Sequence, residues 1–332
     1  MKKTIVAAAI AAAVAAPAAF ADVTIYGKIH QSLTDAEGAA NIGNVAATAD
    51  AESQDSNSSR IGFKGNEDLG NGMSAFFLME WAADTTDAAA AGGARDGYVG
   101  LKGDFGTLAF GRMAGATKAT LYGVGNHAMA DSFDGVDYAS AFASKFDRHT
   151  NVSAYKNSFN GVNVTLAAAG DDVNDNFANT SIGVDTTIGG AKVAIAQLNS
   201  DGTGKDTTIA GVKMSFDALT VGVLYEDAED LSDADDLFGV NMSLTGTQTD
   251  AKTVGVSATY TMGNNTLGLA HADAEYTVAG VQTTDAKMTW VTFEHKMSKR
   301  TSVYAQYGDM EAKTAAVTAD ANGYTLGLVH KF

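Results

Sequence analysis

The sequence predicts an all-β chain closed into a 16-stranded antiparallel transmembrane β-barrel with an inward-folded third loop, and three observations carry that prediction. Apolar and polar residues alternate with a period close to two almost throughout. Segments of roughly ten residues are separated by a very short turn and then by a longer polar loop, the asymmetry of barrels that cross a membrane. The composition, with 36 Gly, a single Pro and no Cys in 332 residues, suits strands and turns.

The first 21 residues stand apart from the barrel and read as a secretory signal peptide. Lys2 and Lys3 form a basic start, Ile5 to Ala16 is an apolar core too short to span a bilayer, and Ala19-Phe20-Ala21 is a small-x-small cleavage site. Residues 22–332 form one barrel with no domain boundary. Removing the leader takes away two lysines and no acid, so the formal charge moves from −17 to −19. Such a chain is a poor partner for nucleic acid, whose binding needs Lys and Arg to neutralise phosphates. No 18-residue apolar run follows the leader, which excludes helical membrane spans. Without cysteine there are no disulfide staples, and packing and backbone hydrogen bonds must hold the fold.

Taken in order, VTIYGKI sets Val23, Ile25 and Ile29 on one face, with Thr24, Tyr26, Lys28 and His30 on the other. The same split recurs at Leu219, Val221, Val223 and Tyr225, at Val254, Val256, Ala258 and Tyr260, and at Tyr324, Leu326, Leu328 and His330. Strands are predicted near 22–34, 58–66, 73–83, 95–102, 107–113, 148–157, 162–170, 179–188, 191–199, 206–216, 219–226, 251–261, 264–274, 285–296, 300–310 and 322–332. Short turns fall at 67–72, 103–106, 189–190, 217–218, 262–263 and 297–299, and longer loops at 35–57, 84–94, 114–147, 171–178, 227–250, 275–284 and 311–321. The even count leaves both termini on the short-turn side. A closed sheet of this size surrounds a water-filled channel rather than a packed interior.

The connector from Ala114 to Asp147 is the least ordinary stretch. It has 34 residues and no helical periodicity, and loops of that length are usually functional or disordered. Leu121, Tyr122, Met129, Phe133, Tyr138, Phe142 and Phe146 need a surface to pack on, which argues against disorder. The expected arrangement is a loop folded back into the lumen, where it narrows the pore; a surface loop covering a sheet edge is the alternative.

Several segments carry a family resemblance. SSRIGFKGNEDLGNG (58–72), RDGYVGLKGDFGTLAFGR (95–112), DVTIYGK (22–28), SKRTSVYAQYG (298–308) and GYTLGLVHKF (323–332) resemble the strands of the general porins of Gram-negative outer membranes. Residues 171–284 match only in rhythm. The resemblance implies a homotrimer in outer-membrane lipid and lipopolysaccharide, a third loop forming an eyelet, and passive diffusion of small hydrophilic solutes and ions. It also implies that the C-terminal phenylalanine is read by barrel-assembly machinery.

Carried over from that family, the basic wall of the constriction is Lys28, Arg60, Arg95 and Arg148, facing acids of the inward loop, Asp131, Asp134, Asp137 and Asp147. The alternation independently turns Lys28 and Arg60 to the polar face, since a cation on the lipid face at mid-depth costs several kcal/mol. Asp134 and Asp137 flank Gly135 near the loop's middle and are the expected eyelet acids; the Pro-Glu-Phe-Gly-Gly tip of enterobacterial members is absent. Arg112 shares parity with Leu108 and Phe110, so it serves either the pore or a subunit interface. Cation or anion preference stays open.

Outside the pore, Glu226, Asp227, Glu229, Asp230, Asp233, Asp235 and Asp236 are expected in a long external loop. They form either a solvated loop or a weak Ca²⁺ or Mg²⁺ site bridging to lipopolysaccharide phosphates. No other cofactor is expected. The six histidines lack metal-ligand spacing and no GxSxG element occurs after the leader, so nothing points to an enzyme. The rival functions are a solute-selective channel and a surface adhesin or structural anchor.

Overall fold

The computed structural model describes residues 22–38, 51–86, 92–125, 141–170, 177–200, 206–231, 249–278, 281–314 and 318–332. Residues 1–21, expected to be a leader, lie outside them. Among the described residues the strands are β1 (Asp22–Gly38), β2 (Ala51–Ser56), β3 (Arg60–Gly70), β4 (Met73–Ala82), β5 (Ala94–Gly103), β6 (Gly106–Ala114), β7 (Arg148–Phe159), β8 (Val162–Gly170) and β9 (Phe177–Ile188). They continue as β10 (Ala191–Ser200), β11 (Asp206–Phe216), β12 (Leu219–Leu231), β13 (Thr249–Met262), β14 (Asn265–Val278), β15 (Val281–Lys296), β16 (Thr301–Thr314) and β17 (Thr318–Lys331).

These segments make a closed antiparallel barrel of sixteen staves, because β2 and β3 are two halves of one stave, both paired with β1. The break falls at Asn57–Ser59, where Asn57 N donates to His30 O at 2.9 Å and Ser59 Oγ accepts from His30 N at 3.0 Å. Closure comes from β1 against β17, in register from Lys28 with Lys331 to Gly38 with Ala321. Gly27 and Phe332 then exchange backbone hydrogen bonds, each at 3.1 Å. A closed ladder leaves no unpaired edge for lipid to meet.

The predicted alternation is visible as exposure. Val23, Ile25, Leu33, Val99, Phe110, Ile195, Val223, Leu269, Leu326 and Leu328 face outward and are exposed, while their sequence neighbours face the interior. Tight hairpins sit where glycine permits positive φ: Gly189 and Gly190 adopt φ of 57° and 87°, the geometry a two-residue type I′ turn needs. Interior glycines also leave room for aromatic rings from the neighbouring strand. Tyr26 lies over Gly62, Phe76 over Gly100, Tyr304 over Gly327 and Trp290 over Gly308, each pair directly opposed in the ladder.

Several predicted external loops are shorter than expected because the hairpins keep pairing past the expected strand ends. Residues 275–284 are mostly the ends of β14 and β15, 311–321 mostly those of β16 and β17, and β12 runs on to Leu231. Polar residues such as Glu275, Glu311 and Lys313 stand in these extensions, so polarity did not mark the end of pairing.

Candidate functional site: the lumen wall and the inward loop

The connector after β6 is not wholly irregular: Ala116–Val124 forms a helix, α1, followed after residues 126–140 by a 3-10 turn at Ala143–Phe146. Its nine residues are too few for periodicity to stand out in sequence, and Gly115, Gly123 and Gly125 disguise it. Both described ends of the loop lie against inward-facing positions of β9 to β13. Leu121, Val124 and Phe142 are fully buried among Ile209, Leu224 and a floor of Ala194, Ala196, Ala228 and Ala251. Each such side chain contributes about 2 kcal/mol.

Polar contacts fix the seat. Ala116 N donates to Ser181 Oγ at 3.2 Å, Ser257 Oγ to Gly125 O at 2.7 Å, and Thr253 Oγ1 to Ala141 O at 3.2 Å. Glu226, projecting inward from β12 and 1 % exposed, accepts from the amides of Ala143 (2.5 Å) and Ser144 (3.0 Å) and from the Ser144 hydroxyl. Glu226 is therefore corrected: it is an interior anchor of the loop, not part of an external metal site. Its parity with Leu224 and Ala228, both inward, explains the difference. Of its supposed companions, Asp227 pairs with Lys252 at 3.8 Å and Glu229 is exposed at the strand end. Asp230 belongs to β12, while Asp233, Asp235 and Asp236 lie outside the described residues. Among the described residues no three His, Asp or Glu side chains converge as a metal site.

Asp147 is also corrected. It is 1 % exposed, so it presents no carboxylate to a passing ion. It accepts from Thr117 Oγ1 at 2.5 Å and Lys118 N at 3.4 Å, and Oδ1 lies 2.9 Å from His149 Nε2. It caps the start of α1 from the far end of the loop, over Gly115, where any side chain would collide with its carboxylate. Burial opposes its ionisation, yet hydrogen bonds from His149 and Thr117, the charge of His149 and the Lys118 amide together hold its carboxyl below the ordinary carboxylate range. Asp131, Asp134 and Asp137 lie outside the described residues.

The basic residues do come together on the wall. Lys28 and Arg60 are directly opposed across β1 and β3, and Lys28 is 7 % exposed. Arg95 Nε donates to Glu80 Oε1 at 2.6 Å, Arg60 Nε stands 3.6 Å from Glu80 Oε2, and Tyr26 donates to the same oxygen at 3.1 Å. Arg148 Nε donates to Asp96 Oδ1 at 2.7 Å. Among the described residues three arginines thus pair with two carboxylates, Glu80 and Asp96, and the guanidinium groups remain about one-fifth to one-quarter exposed. Glu80 and Asp96 were not anticipated. The signal available was parity: Glu80 stands opposite Gly62, beside Tyr26, on the polar face already assigned to Arg60.

Arg112 sits at a register shift between β6 and β7, opposite Gly97, with its Nε buried and without a hydrogen-bond partner. That position brings it to none of the lumen ion pairs described above. A further pair of inward cations went unremarked in sequence, Lys192 and Lys213, directly opposed across β10 and β11.

Comparison with known proteins places this geometry in context. The family described as Gram-negative porin matches residues 7–315. The chain is 26 % identical to the major outer membrane protein P.IB of Neisseria lactamica over 340 aligned positions, all of either chain. It is 39 % identical to the P.IB protein of Neisseria meningitidis serogroup B over 121 residues, 36 % of either chain. Among solved structures, an anion-selective porin from Comamonas acidovorans aligns with a TM-score of 0.73 at 19 % identity, over 94 % of this chain and all of the other. OmpT of Vibrio cholerae in its trimer form aligns with a TM-score of 0.69 at 16 % identity, over 94 % of this chain and 99 % of the other.

Proposed function

The chain belongs to the Gram-negative porin family and is an outer-membrane diffusion channel; we propose that its charge selectivity is set by Lys28, Arg60, Arg95 and Arg148 on one wall, tempered by Glu80 and Asp96. The carrying observation is the clustering of charge: among the described residues Arg60, Arg95 and Arg148 meet two carboxylates on one stretch of lumen, with Lys28 directly opposite Arg60. Low-dielectric walls focus that charge onto a passing solute, and screening is incomplete across a narrow pore. Anions are favoured at this wall, and small uncharged hydrophilic solutes pass without a saturable step. Of the loop acids first expected opposite it, Asp134 and Asp137 remain the candidates for the facing side, with Asp131 behind them.

Assembly as a homotrimer in lipopolysaccharide-containing membrane is part of this reading, supported by the family and by the trimer form of the Vibrio cholerae neighbour. Asp227, Glu229 and Asp230, with the acids beyond Leu231, are left as the candidates for Ca²⁺ or Mg²⁺ bridging to lipopolysaccharide phosphates; chelator would then lower the melting temperature in lipopolysaccharide-containing micelles. Nothing in the lumen calls for a chemical step, and the reading assigns the protein no catalysis.

The deciding experiment is current through the purified protein in a planar bilayer, followed by the reversal potential across a salt gradient. Ohmic steps in groups of three, unsaturated by small sugars, with a reversal potential of anionic sign, are expected. A current that one sugar blocks would favour a solute-selective channel, and a well-folded barrel with no current would leave adhesion or anchoring as its role.

A further inference from the structure

Away from the arginine wall, the interior of β10 and β11 carries a second concentration of positive charge. Lys192 and Lys213 are direct cross-strand partners. Both face inward, since their neighbours Val193 and Val212 are 36 % and 42 % exposed on the outer face. Lys192 reaches beneath α1: its Nζ comes within 3.2 Å of where a β-carbon on Gly123 would stand. Both lysines lie close to the short-turn mouth, Lys192 just after the Gly189–Gly190 turn and Lys213 just before Asp217.

The charges here do not balance. Asp185 Oδ2 is 3.6 Å from Lys192 Nζ, but the same oxygen accepts from Asn163 Nδ2 at 2.9 Å. Lys213 has no carboxylate partner among the described residues. Like charges directly opposite each other in an antiparallel pair repel. Two opposed ammonium groups, with one carboxylate that reaches Lys192 alone, leave this part of a water-filled lumen net positive.

We infer that Lys192 and Lys213 form a second cationic station, which holds small multi-oxygen anions transiently near the short-turn mouth. Phosphate, sulfate and small carboxylates share the chemistry: two or more oxygens, able to accept from both ammonium groups at once. Chloride, with one centre, cannot bridge the pair in the same way. Asp185 acts as a built-in competitor that keeps the station weak, so that anions leave as readily as they enter. The inference rests on the channel reading above and adds a place and a ligand class to it.

The test is chloride current through single channels titrated with inorganic phosphate, for the wild type, Lys213→Gln, Lys192→Gln/Lys213→Gln, Lys213→Arg and Asp185→Asn. Wild type should show a saturable reduction of chloride current. The double variant should need at least about twofold more phosphate for the same reduction, Lys213→Arg should retain the effect, and Asp185→Asn should need less. Equal phosphate sensitivity in wild type and double variant, with both folded by heat-modifiable gel mobility, would overturn the station while leaving the channel intact. No chloride current from folded wild type would instead overturn the channel reading and the station with it.

Discussion

Glu80 stands between two arginines: Oε1 accepts from Arg95 Nε at 2.6 Å, and Oε2 lies 3.6 Å from Arg60 Nε. One carboxylate on β4 thus holds side chains from β3 and β5 against the wall. Glu80→Gln removes its charge and leaves Arg60 and Arg95 without the carboxylate they share. A unit charge about 10 Å from a passing ion is worth about 0.4 kcal/mol in water, which is about a twofold change in relative permeability. The reversal potential should therefore move towards anions by that factor, and Arg95→Gln should move it the other way. Equal reversal potentials in all three proteins would dissociate this cluster from selectivity.

The inward loop is anchored by Glu226 through two amides and a hydroxyl of Ala143 and Ser144. Glu226→Ala leaves those donors buried without acceptors, at a cost of about 2 kcal/mol or more. The loss should be local rather than global, because the ladder of β12 with β11 and β13 does not depend on this side chain. Faster hydrogen exchange at the Ser144 amide and noisier single-channel current are expected, with a smaller drop in melting temperature.

Much of the barrel could be read from the sequence because one physical rule, outward apolar against inward polar, repeats on every stave. Val23, Ile25, Leu326 and Leu328 obey it without exception. The same rule placed Arg60 and Lys28 in the lumen. It could not place Glu226, because seven acids within 226–236 look like solvated loop whether or not the first belongs to a strand. Nor could it find α1, whose apolar face meets a floor of alanines contributed by β10, β12 and β13 from far along the chain. Asp147 was misassigned for a related reason. Its place at the end of the inward loop grouped it with the eyelet acids, whereas its partners are Thr117, Lys118 and His149.

The Asp147 anchor makes a pH prediction. Its carboxyl is held below its ordinary range in the folded protein, so the unfolded state binds the proton more readily. The contribution to loop stability is then fully present above the unfolded value of about 3.9 and disappears as pH falls through the lower folded value. Loop release on acidification, followed by protease sensitivity or current noise, should include a steep acid limb from this group. Asp147→Asn should show a looser loop at neutral pH and lose that limb. An unchanged limb in the variant would assign acid sensitivity to other carboxylates.

The glycine beneath Trp290 offers the sharpest test of how the inner wall is packed. The indole of Trp290, 2 % exposed, covers Gly308 so closely that a β-carbon there would overlap the ring. Trp290 and Gly308 are direct partners across β15 and β16, an arrangement in which an aromatic ring shields a strand glycine from water. Ordinarily Ala is favoured over Gly in a strand by backbone entropy, on the order of 0.5–1 kcal/mol. Here the added methyl must push the indole from its place beside Met288 and Met310, and overpacking of that kind costs about 1–3 kcal/mol. The two terms oppose each other, and the second wins because backbone on β15 limits how far the ring can retreat. Gly308→Ala should lower the melting temperature and shift tryptophan emission to the red, since Trp81 is the other indole of the chain and lies on a different stave. The double variant Gly308→Ala/Trp290→Leu should recover part of the loss, which separates a steric clash from a requirement for glycine's own backbone freedom.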